Sequence, residues 1–65
     1  MKILVNNEEK SVLSGNLAEA LTELGYDGAL IATAVNGDFT PRGMRAQLML
    51  REGDSLELLA PMRGG

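Results

Sequence analysis

The chain lacks two residue types on which much protein chemistry depends, since none of its 65 residues is cysteine or histidine. Without cysteine, no disulfide can form and no thiol can act as nucleophile, redox centre or metal ligand. Without histidine, the commonest general base and the commonest metal ligand are both missing. Few groups suited to catalysis remain: carboxylates, lysines, hydroxyls and a single tyrosine. This composition disfavours an enzyme.

Aromatic residues, positive charge and long apolar runs are also scarce. Phe39 and Tyr26 are the only aromatic residues, so the chain offers no platform for base stacking. The net charge of −3 also disfavours nucleic acid as a partner. The longest apolar stretch, residues 29–35, is too short to span a bilayer, and residues 1–5 do not resemble a signal peptide. We therefore expect a cytoplasmic protein with no membrane partner.

The whole chain is long enough for one domain. Its first part predicts a β-hairpin. Residues 2–6 alternate in the manner of a strand, with Leu4 on the face opposite the core. Asn6-Asn7 predicts a turn, because asparagine tolerates positive φ better than most residues. Residues 9–13 predict the second strand, with Val12 in the core.

One helix is predicted after this hairpin. Asn16 is the expected N-cap, because its side chain can accept a hydrogen bond from the backbone N–H of Glu19. The Glu19 side chain can in turn accept from the backbone N–H of Asn16, as in a capping box. Gly25 fits the left-handed residue that ends many helices. The negative charges of Glu19 and Glu23 lie off the apolar stripe and are expected to be solubilising. That stripe follows the i, i+3, i+4, i+7 spacing of one helical face: Leu17, Ala20, Leu21 and Leu24.

A second hairpin is predicted beyond a loop that carries Asp27-Gly28. Residues 30–36 form an almost continuous apolar run, which is typical of a strand covered on both faces. Asn36-Gly37 is the strongest short hairpin signal in the sequence. Phe39-Thr40 then begins a short return strand, which Pro41 ends or confines to a sheet edge because proline has no N–H.

The remaining pattern completes an α+β fold with one helix on one face of a small sheet. Residues 42–45 predict a turn, whereas residues 46–50 are ambiguous between strand and helix. Glu52-Gly53-Asp54 predicts another turn. Residues 55–59 predict the last strand, with Leu59 on the face opposite the core.

The predicted domain covers residues 1–60 and leaves residues 61–65 as a flexible tail that ends in Gly64-Gly65. Glycine has no Cβ, so this tail is slim and conformationally free. One interpretation is a frayed terminus, which is common in proteins. The other is an arm that delivers the terminal carboxylate into a narrow site on a partner.

Four stretches carry a further pattern: residues 1–6 (MKILVN), 35–42 (VNGDFTPR), 52–54 (EGD) and the final Gly64-Gly65. Their order and spacing resemble the ubiquitin-like β-grasp family, and are most similar to the thiamine sulfur carriers of the ThiS/MoaD family. The resemblance covers essentially the whole chain. It implies a mixed sheet of four or five strands, with one main helix packed on one face and the first and last strands adjacent and parallel.

The resemblance also implies a carrier and not an enzyme. An activating enzyme of the ThiF/MoeB type, similar to those that activate ubiquitin, would use ATP to adenylate the carboxylate of Gly65. A sulfur donor such as a cysteine desulfurase would supply the sulfur that displaces AMP and leaves a thiocarboxylate. A thiazole synthase of the ThiG type would then receive that sulfur in thiamine biosynthesis. Gly64 would keep the tail slim, and the chain itself would bind no cofactor or metal.

The tail leaves the sulfur acceptor open. The pair Pro41-Arg42 favours the thiamine branch, whereas Pro61 is more similar to the small subunit of molybdopterin synthase. The alternatives are therefore a thiocarboxylate carrier for molybdopterin or another acceptor, and a ubiquitin-like modifier that is joined to target lysines through Gly65. A β-grasp interaction module with an inert tail is the remaining alternative.

Several residues are candidates for partner binding. Leu4, Leu59 and Met62 could form an apolar docking surface, and ordinary packing on the second face of the sheet is the alternative. Arg42 and Arg63 could pair with acidic groups of a partner, although exposed charges are commonly just solvated.

Overall fold

The computed structural model describes residues 1–26 and 30–59. In these residues one helix packs on a mixed five-stranded sheet, so the predicted α+β class is confirmed. The helix is α1 (Leu17–Glu23), and Arg42–Met44 forms a short 3₁₀ helix. The strands are β1 (Lys2–Val5), β2 (Glu8–Ser11), β3 (Ala32–Val35), β4 (Asp38–Thr40) and β5 (Ser55–Leu59). The predicted loop around Asp27-Gly28 lies outside the described residues.

The sheet places the last strand at its centre, with the strand order β2-β1-β5-β3-β4. β1 and β5 run parallel, with Leu4 opposite Ser55 and Val5 opposite Leu56. The other pairs, β1 with β2, β3 with β4 and β3 with β5, are antiparallel. The adjacent, parallel first and last strands implied by the family resemblance are therefore confirmed.

Both predicted hairpin turns are formed, and both depend on positive φ angles. Asn6 and Asn7 have φ angles of 51° and 69°, and Asn36 and Gly37 have φ angles of 52° and 87°. Positive φ at both central residues is the signature of a type I′ turn, whose twist matches that of paired strands. Asparagine and glycine are the residues that adopt this conformation at the lowest cost.

The helix begins and ends where the sequence predicts. The Asn16 side chain accepts a hydrogen bond from the backbone N–H of Glu19 at 2.8 Å, and Gly25 follows the helix with a φ angle of 92°. The helical stripe then packs on the sheet around the predicted core residue Val12. The buried apolar residues are Ile3, Val5, Val12, Leu17, Ala20, Leu21, Val35, Leu50, Leu56 and Leu58.

Two sequence predictions about the strands are wrong, and residues 46–50, which the sequence left open, can now be assigned. The apolar run at residues 30–36 is not covered on both faces, because α1 packs on one face only; Leu30 is 69% exposed and Ala32 is also exposed. The second strand ends at Ser11, so Leu13 lies outside it and is 96% exposed. Residues 46–50 form neither a regular strand nor a helix, although Met49 makes an isolated bridge to Asn16.

Arg45 is a buried charge that the sequence did not indicate. Its Nε donates to Thr33 Oγ1 at 3.2 Å, and its Nη2 donates to the Ile31 carbonyl at 2.6 Å. Thr33 Oγ1 in turn donates to the Thr40 carbonyl at 3.0 Å. A buried guanidinium needs such partners, because a buried donor without an acceptor is costly. Arg45 thereby ties the segment after β4 to the start of β3.

Replacing Thr33 by valine should therefore destabilise the protein. Thr33→Val keeps the β-branched shape but leaves the Arg45 Nε donor and the Thr40 carbonyl without their shared hydroxyl, at a cost of roughly 1–3 kcal/mol. Urea unfolding measures this change. The matched control is Thr22→Val, which removes an exposed hydroxyl bonded to the Ala18 carbonyl at 3.3 Å. Equal stability of the two variants would contradict the role given to Thr33.

Glu23, predicted to be merely solubilising, instead joins the helix to the loop before it. Its carboxylate accepts hydrogen bonds from the Leu13 N–H at 2.7 Å, from the Ser14 N–H at 3.1 Å and from Ser14 Oγ at 2.8 Å. The bond from the Leu13 backbone is the main cause that holds the pKa of Glu23 below its ordinary value, and the Ser14 hydroxyl adds to it. The sequence pattern of the helix could not predict this role of Glu23, because the three donors lie outside the helix.

The stabilising effect of Glu23 should depend on pH. Because its pKa is lowered on folding, the carboxylate stabilises the fold above its ordinary pKa of 4.5, and this stabilisation is lost as pH falls through the lowered value. Glu23→Gln should lower the melting temperature at pH 7, and its difference from the parent protein should shrink below pH 4.5. Glu19→Gln, on the same helix, is the control. A deficit for Glu23→Gln that is constant from pH 7 to pH 3 would contradict this assignment.

Candidate functional site

The described part of the candidate site is the end of β5, because the chain continues from Leu59 into the tail. Leu59 lies opposite Ala32 of β3, and this is the last residue pair of β5. Four predicted site residues lie outside the described residues: Met62, Arg63, Gly64 and Gly65. The site is therefore built from the strands that hold Leu59 and from the sheet face beside it.

The sheet face opposite α1, here called the outer face, carries exposed apolar side chains next to Leu59. Leu56 and Leu58 point into the core, so Leu59 points outwards and is 72% exposed. The residues Ala32, Ala34, Phe39 and Leu59 form what we call the apolar patch. They line a shallow groove of about 370 Å³, and Glu57 lines the same groove.

Phe39 is the largest side chain of the patch, and it is not among the residues that the sequence predicted for docking. It lies opposite Ala34 on β4, and its side chain is 69% exposed. A two-residue turn at Asn36-Gly37 fixes this register, since it places Val35 opposite Asp38. Because Val35 points into the core, the turn alone would have placed Phe39 on the outer face.

The structure does not bring Leu4 and Leu59 together. Leu4 lies on the same outer face, but it pairs with Ser55, four residues before Leu59 and thus about 13 Å away along the strand direction. Its side chain is 38% exposed and stands opposite Glu9. Other polar residues, Lys2 and Glu52, line the same shallow depression as Leu4. The sequence correctly predicted the face of both leucines, but not the register between β1 and β5.

Arg42 lies in the 3₁₀ helix and is exposed. Among residues 1–26 and 30–59 its side chain forms no ion pair with a carboxylate. Both predictions for Arg42, a partner contact and a solvated side chain, stay predictions.

The described residues also bear on metal binding and on membrane crossing. In that part of the chain, no group of three or more acidic, histidine or cysteine side chains could hold a metal ion. No helix there is long and apolar enough to cross a membrane.

The architecture, with one helix across a mixed five-stranded sheet and the first and last strands parallel at its centre, is that of a ubiquitin-like β-grasp protein. Sequence comparison narrows this class. The chain belongs to the ThiS family, whose sequence pattern matches residues 3–65. The predicted resemblance to ThiS-type sulfur carriers is confirmed by this match.

Individual relatives agree with the family. A thiazole synthase of Paramagnetospirillum magneticum is 36% identical over 66 residues, a match that covers 100% of this chain and 20% of the relative. The chain thus spans about a fifth of the length of that curated relative. The crystal structure of the thiamine biosynthesis protein ThiS from Geobacter metallireducens superposes with a TM-score of 0.84 at 28% identity, with 100% of both chains covered. A solution structure of a thiamine biosynthesis protein from the same organism gives a TM-score of 0.77 at 26% identity, covering 100% of this chain and 88% of the other.

Proposed function

We propose that the chain is a sulfur carrier that supplies sulfur for the thiazole ring in thiamine biosynthesis and is not an enzyme itself. The observation that carries this proposal is the family match, which extends from residue 3 through Gly65 and so includes both glycines of the tail. The thiazole synthase that is similar to the whole chain supports a thiazole synthase as the sulfur acceptor.

The chemistry proposed for Gly65 begins with its carboxylate. A carboxylate is a poor acyl donor, so an activating enzyme would join it to the AMP portion of ATP and release pyrophosphate. Sulfur at the oxidation level of sulfide would then displace AMP and leave a thiocarboxylate, whose sulfur is a good nucleophile. A persulfide donor would first form an acyl disulfide with the carrier, and a thiol reductant would cleave its S–S bond to release the same thiocarboxylate. Every step takes place in the active sites of partners, so a chain without histidine or cysteine can serve.

The apolar patch is the proposed docking surface for the activating enzyme. It adjoins Leu59, and it is the described part of the outer face where exposed apolar side chains cluster. Clusters of this kind commonly mark partner sites, whereas single exposed leucines do not. Because Glu57 lies among these side chains, the complementary surface of the enzyme should combine apolar contacts with an arginine or lysine.

The carrier chemistry can be tested by mass spectrometry of the intact protein. After incubation with the activating enzyme, ATP and a sulfur donor, one oxygen of the protein should be replaced by sulfur. The change should disappear when Gly65 is deleted, and also when one further residue is added after Gly65, because the reactive carboxylate is then displaced. Circular dichroism should show the same fold for all three proteins.

Several results would speak against this function. Sulfur uptake by the extended protein would exclude the carboxylate of Gly65 as the site. A thiocarboxylate that thiazole synthase does not consume would favour the alternative acceptors, such as molybdopterin. Isopeptide-linked remnants of Gly64-Gly65 on cellular lysines would favour a protein modifier.

The docking proposal is tested by two matched substitutions of exposed leucines on one face. Leu59→Ser should raise the KM of the activating enzyme for the carrier about five- to thirtyfold, as expected when an interface anchor worth about 1–2 kcal/mol is lost. Leu4→Ser, in polar surroundings about 13 Å away, should have a smaller effect. Phe39→Ser should behave like Leu59→Ser.

The stability of each variant is the control for this test. Because all three side chains are at least 38% exposed, their melting temperatures should stay close to that of the parent protein. A larger effect of Leu4→Ser than of Leu59→Ser would move the docking surface to β1.

A further inference from the structure

The backbone of β5 is held by its two neighbouring strands in alternation. The backbone N–H and C=O groups of its odd-numbered residues point towards β3, where the Asn36 N–H donates to the Ser55 carbonyl at 2.7 Å. The backbone groups of its even-numbered residues point towards β1, where the Asn6 N–H donates to the Leu56 carbonyl at 2.9 Å. Each side of β5 therefore needs its own partner along the full length of the strand.

β1 is too short to supply that partner to the end of β5. Its pairing ends with Val5 opposite Leu56, after which the chain turns away at Asn6 and Asn7. Leu58 is the next residue of β5 that faces this side, and it is only 8% exposed. A buried N–H without an acceptor is costly, so the Leu58 amide needs an acceptor from elsewhere.

The side chain of Asn6 fills this position. Its Oδ1 accepts the Leu58 N–H at 2.9 Å, across 52 residues of sequence, and so takes the place of the strand backbone that β1 does not provide. The turn makes this possible, because the positive φ of Asn6 bends the chain away beside β5. Asn7 shares the turn and has a φ angle of 69°, but its side chain makes no hydrogen bond within the described residues.

A second asparagine holds the opposite end of the same strand. Asn36, the first residue of the other type I′ turn, accepts the Ser55 N–H through its Oδ1 at 2.9 Å. Thus each hairpin contributes its first turn asparagine to β5. Asn36 holds the start of the strand, whereas Asn6 holds the end that leads into the tail.

We propose that Asn6 is a positioning residue for the reaction at Gly65, because it fixes the direction in which the chain leaves β5. This inference rests on the proposed carrier function. At this end of β5, Leu59 pairs with Ala32 of β3, and the Leu58 N–H on the other side is bonded to the Asn6 side chain. Without Asn6, the backbone at this end keeps only its β3 pairing among the described residues, so its direction is less narrowly fixed.

Gly65 is six residues beyond Leu59, so its carboxylate can be at most about 20 Å away. The end of β5 is the point from which this reach begins. When that end is held less tightly, the range of positions open to the carboxylate becomes wider. Because the partner must select the productive direction from a wider range, loss of the Asn6 bond should weaken productive binding. The chemical step itself should be unaffected once the tail is bound.

Four single substitutions separate positioning from stability. Asn6→Gly keeps the positive φ but removes the acceptor for Leu58. Asn7→Gly makes the same change in the same turn without losing a bond to β5. Asn36→Gly removes the corresponding bond at the far end of the strand, together with the bond that Asn36 Nδ2 donates to Asp54 Oδ1 at 3.0 Å. Asn6→Asp keeps an acceptor oxygen.

Amide hydrogen exchange and the kinetics of pyrophosphate release by the activating enzyme are then measured well below the melting temperature of every variant. Asn6→Gly should speed exchange at Leu58 and raise the KM for the carrier about two- to tenfold, with kcat unchanged. Asn7→Gly and Asn6→Asp should remain near the parent protein in both measurements. Asn36→Gly should lower the melting temperature but leave KM unchanged.

Three outcomes would overturn the inference, and they are distinguishable. Unchanged exchange at Leu58 in Asn6→Gly would show that the side chain does not hold the strand. An equal rise of KM in Asn6→Gly and Asn36→Gly would show that the bond serves only stability. A parent protein that releases no pyrophosphate with a competent activating enzyme would overturn the proposed function itself, and this inference with it.

Discussion

The parallel pairing of β1 with β5 is the constraint on which the rest of this structure depends. Parallel neighbours cannot be joined by a tight turn, so everything between the two strands must cross over and return. The helix and the second hairpin do so, and β3 then closes the other side of β5. As a result, the strand that leads into the tail lies at the centre of the sheet, where it is bonded to β3 on one side and to β1 and the Asn6 side chain on the other.

Much of the fold was predictable because its signals are local. The asparagine and glycine turns, the Asn16 cap and the helical stripe depend on residues within a few positions of one another, so the sequence shows them directly. The features that the sequence did not predict depend on contacts between residues that are distant in the chain. Leu30 is exposed because nothing in the described part of the chain forms a second layer over it, and the bonds of Glu23 and Arg45 come from other elements.

The candidate site shows the same division. The roles of Gly64 and Gly65 stay predictions, since the family match covers both residues but the described structure ends before them. Alternation along each strand correctly placed Leu4 and Leu59 on one face. Their separation follows from the register between β1 and β5, which no local turn specifies. Phe39 could have been placed from its hairpin, whereas the bond from Leu58 to Asn6 joins residues 52 positions apart and has no local signal.

The central position of β5 also has a mechanical consequence. A pull applied to the chain beyond Leu59 in the direction of β5 would act nearly at right angles to the hydrogen bonds that join β5 to β3. Such a pull loads those bonds together in shear, along with the bonds to β1. On an edge strand, the same tension could peel the bonds apart one after another. The central position of β5 therefore lets the sheet resist tension applied at the end of this strand without unfolding.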